Sequence, residues 1–113
     1  MKGGEPVLPY TIEEIRRRVT PVAEKYRLAA VWVFGSYARG EATAESDVDL
    51  LVDLRGSSVR GLIFGGLYND LESALGTSID LVTAGSLEQP TRFLSDLDFR
   101  ENLKRERMMI YAS

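Results

Sequence analysis

Three aspartates interrupt segments that are otherwise apolar. Asp47 and Asp49 flank Val48 in DVDLLVDL (47–54), and Asp80 sits between Ile79 and Leu81 in SIDLVT (78–83). On a strand, side chains at i and i+2 share a face, with Cβ atoms about 6.6 Å apart along it. A neighbouring strand carrying Asp80 would add a third carboxylate. Such a cluster repels itself and resists burial. Divalent cations relieve that cost, and hard oxygen ligands suit Mg²⁺. Taken singly, each aspartate reads more simply as a turn residue or an arginine's partner, as Asp53 does before Arg55 and Gly56.

The set gains weight from Gly35-Ser36, which directly follows the apolar run AAVWVF (29–34). A glycine there allows close backbone approach, and the hydroxyl with the following N–H groups can hold phosphate oxygens at the start of a short helix carrying Tyr37, Ala38 and Arg39. By itself a Gly-Ser turn is common loop punctuation. Arg39 has two equal readings: it neutralises triphosphate charge, or it pairs with Glu41 or Glu45 on the surface.

The elements that must position these residues follow from periodicity. Residues 1–10, with Gly3, Gly4, Pro6 and Pro9, read as a flexible arm, and 11–113 as a single domain. Thr11 and Glu14 form a capping box ahead of a helix over 12–27, with Pro21 expected to kink it or start a second segment. Strands are expected over 29–34, 47–54 and 78–83. A second amphipathic helix runs from Val59 to Leu75 and closes at Gly76. Residues 91–107 read as one helix or two, and MMIYA (108–112) as a last helical turn or a short strand. The order helix, strand, strand, helix, strand, helix implies an α/β (α+β) fold: a small mixed sheet with helices packed on it. The segment from Asp53 to Ser78 is long enough for a parallel crossover, while the direction of the first strand pair stays open. Trp32 reads as core, Gly61, Gly65 and Gly66 as sites of close packing on the sheet, and RENLKRER (100–107) as a solvated face of mixed charge whose basic residues could also approach a nucleotide or an acidic partner.

Composition narrows the chemistry. The 113 residues include no histidine and no cysteine. A Ser-His-Asp triad, a thiolate nucleophile, a disulfide scaffold and a cysteine-based zinc site are all excluded. Carboxylates, hydroxyls, lysines or a bound metal must do any catalysis. Fourteen Lys+Arg against seventeen Asp+Glu leave a formal charge of −3, which argues against direct nucleic-acid binding. Apolar stretches fall far short of the roughly 20 residues of a membrane span, so no membrane association is expected. MKGGEPVLPY does not read as a signal peptide, which favours the cytoplasm.

Gly35-Ser36, ten residues, Asp47-Val48-Asp49 and the later Asp80 together resemble the nucleotidyltransferase superfamily of the DNA polymerase β type. The signature of that superfamily is G-S-x10-D-x-D plus a third carboxylate. VFGSYARGEATAESDVDLLVDL (33–54), IDLVT (79–83) and the closing Ile110-Tyr111 look like its minimal nucleotidyltransferase (MNT) subfamily, and the likeness spans nearly all of the chain from residue 11. One departure is Ala44-Glu45, where many members carry a proline. The resemblance implies a polymerase β palm-like fold. It also implies that Asp47 and Asp49 hold two Mg²⁺ ions bound to the triphosphate of ATP. Asp80 would complete a metal site and act on the attacking hydroxyl, and Gly35, Ser36 and Arg39 would bind the nucleotide. Two such ions would offset more than the whole formal charge.

MNT proteins are commonly antitoxins of HEPN-type ribonuclease toxins, which they are thought to adenylylate on a tyrosine. The resemblance therefore implies a HEPN-family partner, with the acceptor surface supplied by that protein. The alternative is a binding module that neutralises its partner by covering it, with little catalysis. A small-molecule or nucleic-acid nucleotidyltransferase subunit is the weaker third reading. Homo-oligomerisation is open on sequence grounds.

Overall fold

The computed structural model describes residues 8–113. Its elements in chain order are α1 (Ile12–Lys25), β1 (Ala30–Phe34), α2 (Gly35–Arg39), β2 (Val48–Asp53), α3 (Leu62–Leu75), β3 (Ile79–Thr83), α4 (Leu94–Glu106) and β4 (Met108–Ala112). The sheet order is β3-β2-β1-β4. β1 runs antiparallel to both β2 and β4, whereas β2 and β3 are parallel, with α3 in the crossover between them. This is the expected mixed sheet, and it settles both the first pair and MMIYA, which is an edge strand.

Alternation along the strands divides the molecule into two layers of unequal depth. Val31, Val33, Val48, Leu50, Val52 and Ile79 point to one face. There they meet Ile15, Val19, Val22 and Ala23 of α1 and Leu67, Leu71 and Leu75 of α3, all buried. The opposite face carries a much smaller cluster, Phe34, Leu51 and Leu103, with α4 laid over it. Because Asp49 and Asp53 share the parity of Leu51, the strand aspartates fall on this thinly covered face. That placement leaves Asp49 in reach of solvent, whereas Asp53, farther along the strand, is buried.

α1 is one continuous helix through Pro21, so no second segment starts there. Val19, Val22 and Ala23 on its buried face hold it to the core on both sides of the proline. Its cap is half of the expected box. Thr11 Oγ1 accepts from the Glu14 N–H at 3.0 Å, but the Glu14 carboxylate turns instead to Arg17 and Arg18. α3 ends as expected at Gly76, which takes the left-handed conformation at φ +65°. Of the expected flexible arm, residues 1–7 lie outside the described residues. Tyr10 is buried: its N–H donates to the Tyr37 hydroxyl at 3.3 Å, and its own hydroxyl donates to the Leu75 carbonyl. The end of the arm is therefore anchored to the core.

Trp32 is half-buried rather than core, because its parity sends it to the thin face, where the Arg107 guanidinium lies 4.7 Å over its ring. The α3 glycines also differ from expectation. Gly61 precedes the helix, and a Cβ on Gly66 would meet the hydroxyl of Tyr26, just past α1, at 3.1 Å, not the sheet. Gly65 faces open space. Gly65→Ala should therefore add roughly 0.5–1 kcal/mol of stability by restricting the unfolded chain. Gly66→Ala should gain nothing, since Tyr26 is held by its 2.7 Å bond to Asp70. Parallel urea titrations of the two variants check this contrast.

Most of 100–107 is exposed as expected, but Arg100 departs from a solvated role. Its guanidinium donates to the Leu87 and Gln89 carbonyls at 2.8 and 2.6 Å and pairs with Asp96, which ties α4 to the turn Gly85–Glu88. No helix of the described residues is long and apolar enough to cross a membrane.

Candidate active site

The parallel register sets Asp49 of β2 directly beside Asp80 of β3, and the antiparallel register sets Asp49 opposite Phe34 of β1. β1 ends at Phe34, and the chain turns at Gly35 straight into α2. Gly35 has φ +73°, and a Cβ built on it would lie 2.0 Å from Asp49 Oδ2. Only glycine lets the turn lie against that carboxylate. The Gly-Ser turn and the aspartate pair are thus one assembly, joined by sheet register across a loop of the sequence.

A cleft of about 360 Å³ opens over this assembly. Its sheet-side wall is Phe34, Gly35, Ser36, Arg39, Asp49 and Asp80. Phe99, Asn102, Leu103 and Glu106 of α4 form the other wall. Asp49 is half-buried, and its carboxyl is pushed up to about 6, chiefly by burial and then by the charges of Asp80 and Asp47, with Arg39 opposing. Like charges crowded beside a partly desolvated carboxylate are a demand for a cation.

Asp47 departs from the expected arrangement. It is exposed, one residue ahead of β2, and stands outside the cleft wall. No strand ladder fixes its direction there. Among the described residues, no three carboxylates form a group that could hold a metal ion. The donor set still suits Mg²⁺ in kind: Asp49 and Asp80 supply adjacent hard oxygens, and the charge of Asp47 reaches Asp49. What is already assembled is a two-carboxylate centre, flanked by a third.

Arg39 is paired with surface carboxylates and also stands on the cleft wall. Its Nε donates to Glu41 at 3.0 Å and its Nη1 to Glu106 at 3.1 Å, while the side chain also lines the cleft. Glu41 is thus the expected partner, Glu45 is not, and Glu106 is a partner the sequence reading missed. Phe34, Phe99, Asn102, Leu103 and Glu106 were missed as cleft residues. The signal lay in the spacing 99, 102, 103, 106, which is one helix face, but mixed charges disguised it. Asp53 behaves as its sequence context indicated. It is buried and grips Arg55 with both carboxylate oxygens, at 2.6–3.1 Å, which holds its carboxyl below the usual carboxylate range.

Residues 12–108 match the nucleotidyltransferase domain family. The chain belongs to that family. Protein adenylyltransferase MntA of Thermococcus cleftensis is 41% identical to this nucleotidyltransferase over 83 residues, covering 69% of this chain and 82% of the relative. A solved minimal nucleotidyltransferase superimposes with a TM-score of 0.62 and 31% identity, covering 90% of this chain and 98% of the other. The fold is also shared by a chain from a complex of a tri-AMPylated Shewanella oneidensis HEPN toxin with an MNT antitoxin. There the TM-score is 0.60 at 16% identity, covering 91% of this chain and 74% of that one. The expected family and fold class are both borne out.

Proposed function

We propose that this nucleotidyltransferase moves AMP from Mg²⁺-bound ATP to a hydroxyl of a partner HEPN-family toxin and thereby acts as its antitoxin in the cytoplasm.

 The acceptor hydroxyl belongs to a tyrosine of that partner, and the chemistry asks for no histidine. The observation that carries this reading is the Asp49–Asp80 pair set against Gly35-Ser36 at the floor of the cleft. Support for the donor and the acceptor comes from the adenylyltransferase named among the relatives and from the AMPylated toxin of the structural neighbour.

Each residue has a role that follows from its place. Gly35 and Ser36 seat the outer phosphates, using backbone N–H groups and the Ser36 hydroxyl. Arg39, half-exposed on the rim, balances triphosphate charge as it now balances Glu41 and Glu106. Asp47 and Asp49 are the proposed ligands of Mg²⁺, which when bound offsets phosphate charge and lowers the barrier to pyrophosphate departure. Asp80, exposed at the cleft, completes that ligand set and takes the proton of the incoming hydroxyl. Positioning and charge neutralisation suffice for this class of transfer.

A second reading, neutralisation by contact alone, is favoured by the apolar start of α4. Phe93 and Leu94 are 71% and 78% exposed, a few residues from the cleft residue Phe99. Co-expression of the partner with the wild type or with Asp47→Ala/Asp49→Ala separates the two readings. Intact-mass measurement should show AMP added to the partner only with the wild type. An unmodified partner that is neutralised equally by both proteins would establish the contact reading instead.

A further inference from the structure

The two walls of the cleft differ in chemistry. The sheet side presents Ser36, Arg39 and the aspartates, whereas α4 presents an aromatic ring and an amide, Phe99 and Asn102. That split matches the two ends of a nucleotide, the charged phosphates and the base. We infer that Phe99 and Asn102 form the base-selecting wall and that they favour adenine. The inference rests on the reading of the cleft as a nucleoside triphosphate site.

Phe99 is braced edge-on by Phe34, with ring centroids 6.0 Å apart and planes at 78°. The contact fixes the ring while leaving Phe99 42% exposed, so a flat surface remains for a base to stack on. Stacking area favours a purine. Asn102 then discriminates between purines. Its Oδ1 accepts from Arg105 Nη1 at 3.0 Å, which leaves both donors of Nδ2 without a partner among the described residues. A donor presented to the Watson–Crick edge finds an acceptor at N1 of adenine. In guanine the same position is an N–H, so donor would face donor and one polar group on each side would go unpaired. Arg105 is thus a positioning residue that sets which end of the amide faces the cleft.

The test is equilibrium binding of non-hydrolysable ATP and GTP analogues with Mg²⁺, using inorganic tripolyphosphate as a probe of the phosphate end alone. Wild-type protein should prefer the ATP analogue by roughly tenfold or more, on the scale of one mismatched hydrogen bond. Asn102→Asp offers two acceptors, which match the N1–H and amino group of guanine. It should shift the ATP-to-GTP affinity ratio toward GTP by about tenfold or more. Tripolyphosphate corrects for the added charge. Phe99→Leu should weaken both nucleotides several-fold and leave tripolyphosphate unchanged. Both positions are exposed, and circular dichroism confirms that each variant is folded. An unchanged ATP-to-GTP ratio in Asn102→Asp, with nucleotides still bound, would overturn the assignment of the base wall alone. If neither nucleotide nor tripolyphosphate binds the wild type, the reading of the cleft itself fails and takes this inference with it.

Discussion

Asp49→Asn should reduce nucleotide transfer by at least about a thousandfold while making the metal-free protein more stable at neutral pH. The loss of transfer follows from removing one of two adjacent hard-oxygen donors at the cleft floor, where charge stabilisation supplies most of the rate. The gain in stability follows from the raised carboxyl. Asp49 holds its proton up to about pH 6 in the folded protein, because burial and the charges of Asp80 and Asp47 oppose ionisation. In the unfolded chain it ionises near the ordinary aspartate value. Folding is therefore opposed by this group as pH rises between those two values, and the penalty is constant above pH 6. With allowance for its contact with water, the penalty is about 1 kcal/mol. Asparagine removes it. Thermal melts in EDTA should show Asp49→Asn above the wild type at pH 8, with the difference vanishing near pH 3. A variant that is less stable at both pH values would mean that Asp49 holds the fold together, contrary to this account.

Gly35→Ala should damage both the fold and the reaction. Its backbone, at φ +73°, costs an alanine about 1–2 kcal/mol. The new Cβ would also lie 2.0 Å from Asp49 Oδ2, so either the turn or the carboxylate must move. Movement of either separates the phosphate seat from the Asp49–Asp80 pair, and misplacement by about 1 Å can cost about a hundredfold in rate. Gly40 supplies the control. It has φ +75° but nothing within 4 Å of its Cβ position. Gly40→Ala should therefore lose comparable backbone stability yet keep transfer within a few-fold of wild type. Urea titration and single-turnover transfer, run on both variants, separate strain from displacement. Equal losses of transfer in the two would remove the special role of Gly35.

Local patterns in the chain carried much of this architecture. The alternation in DVDLLVDL placed Asp49 on a face opposite Val48, Leu50 and Val52, and the segment from Asp53 to Ser78 left room for the parallel β2–β3 pair that the structure shows. Gly35-Ser36 marked the turn for the same reason that glycine is needed there. Harder to read were features set by tertiary neighbours. Pro21 does not break α1, because packing on both sides outweighs the loss of one hydrogen bond. Trp32 lies half-buried because only one helix covers its face of the sheet, a fact about coverage rather than about tryptophan. α4 was the least legible element. Leu103 is its one buried side chain, so its sequence lacks a strong apolar stripe even though it builds a wall of the cleft. Glu106 reached Arg39 across 67 positions of sequence, beyond any local pattern. Asp47 shows the opposite error: strand parity was extended one residue past the point where the ladder begins.

Position-specific labelling of ATP decides whether the chain transfers the nucleotidyl group. Partner protein is incubated with the wild-type chain, Mg²⁺ and ATP labelled either at the α-phosphate or at the γ-phosphate. Nucleotidyl transfer predicts label on the partner from α-labelled ATP alone, with the γ label leaving in pyrophosphate. Label carried from γ-labelled ATP, or none carried from either, would contradict the account.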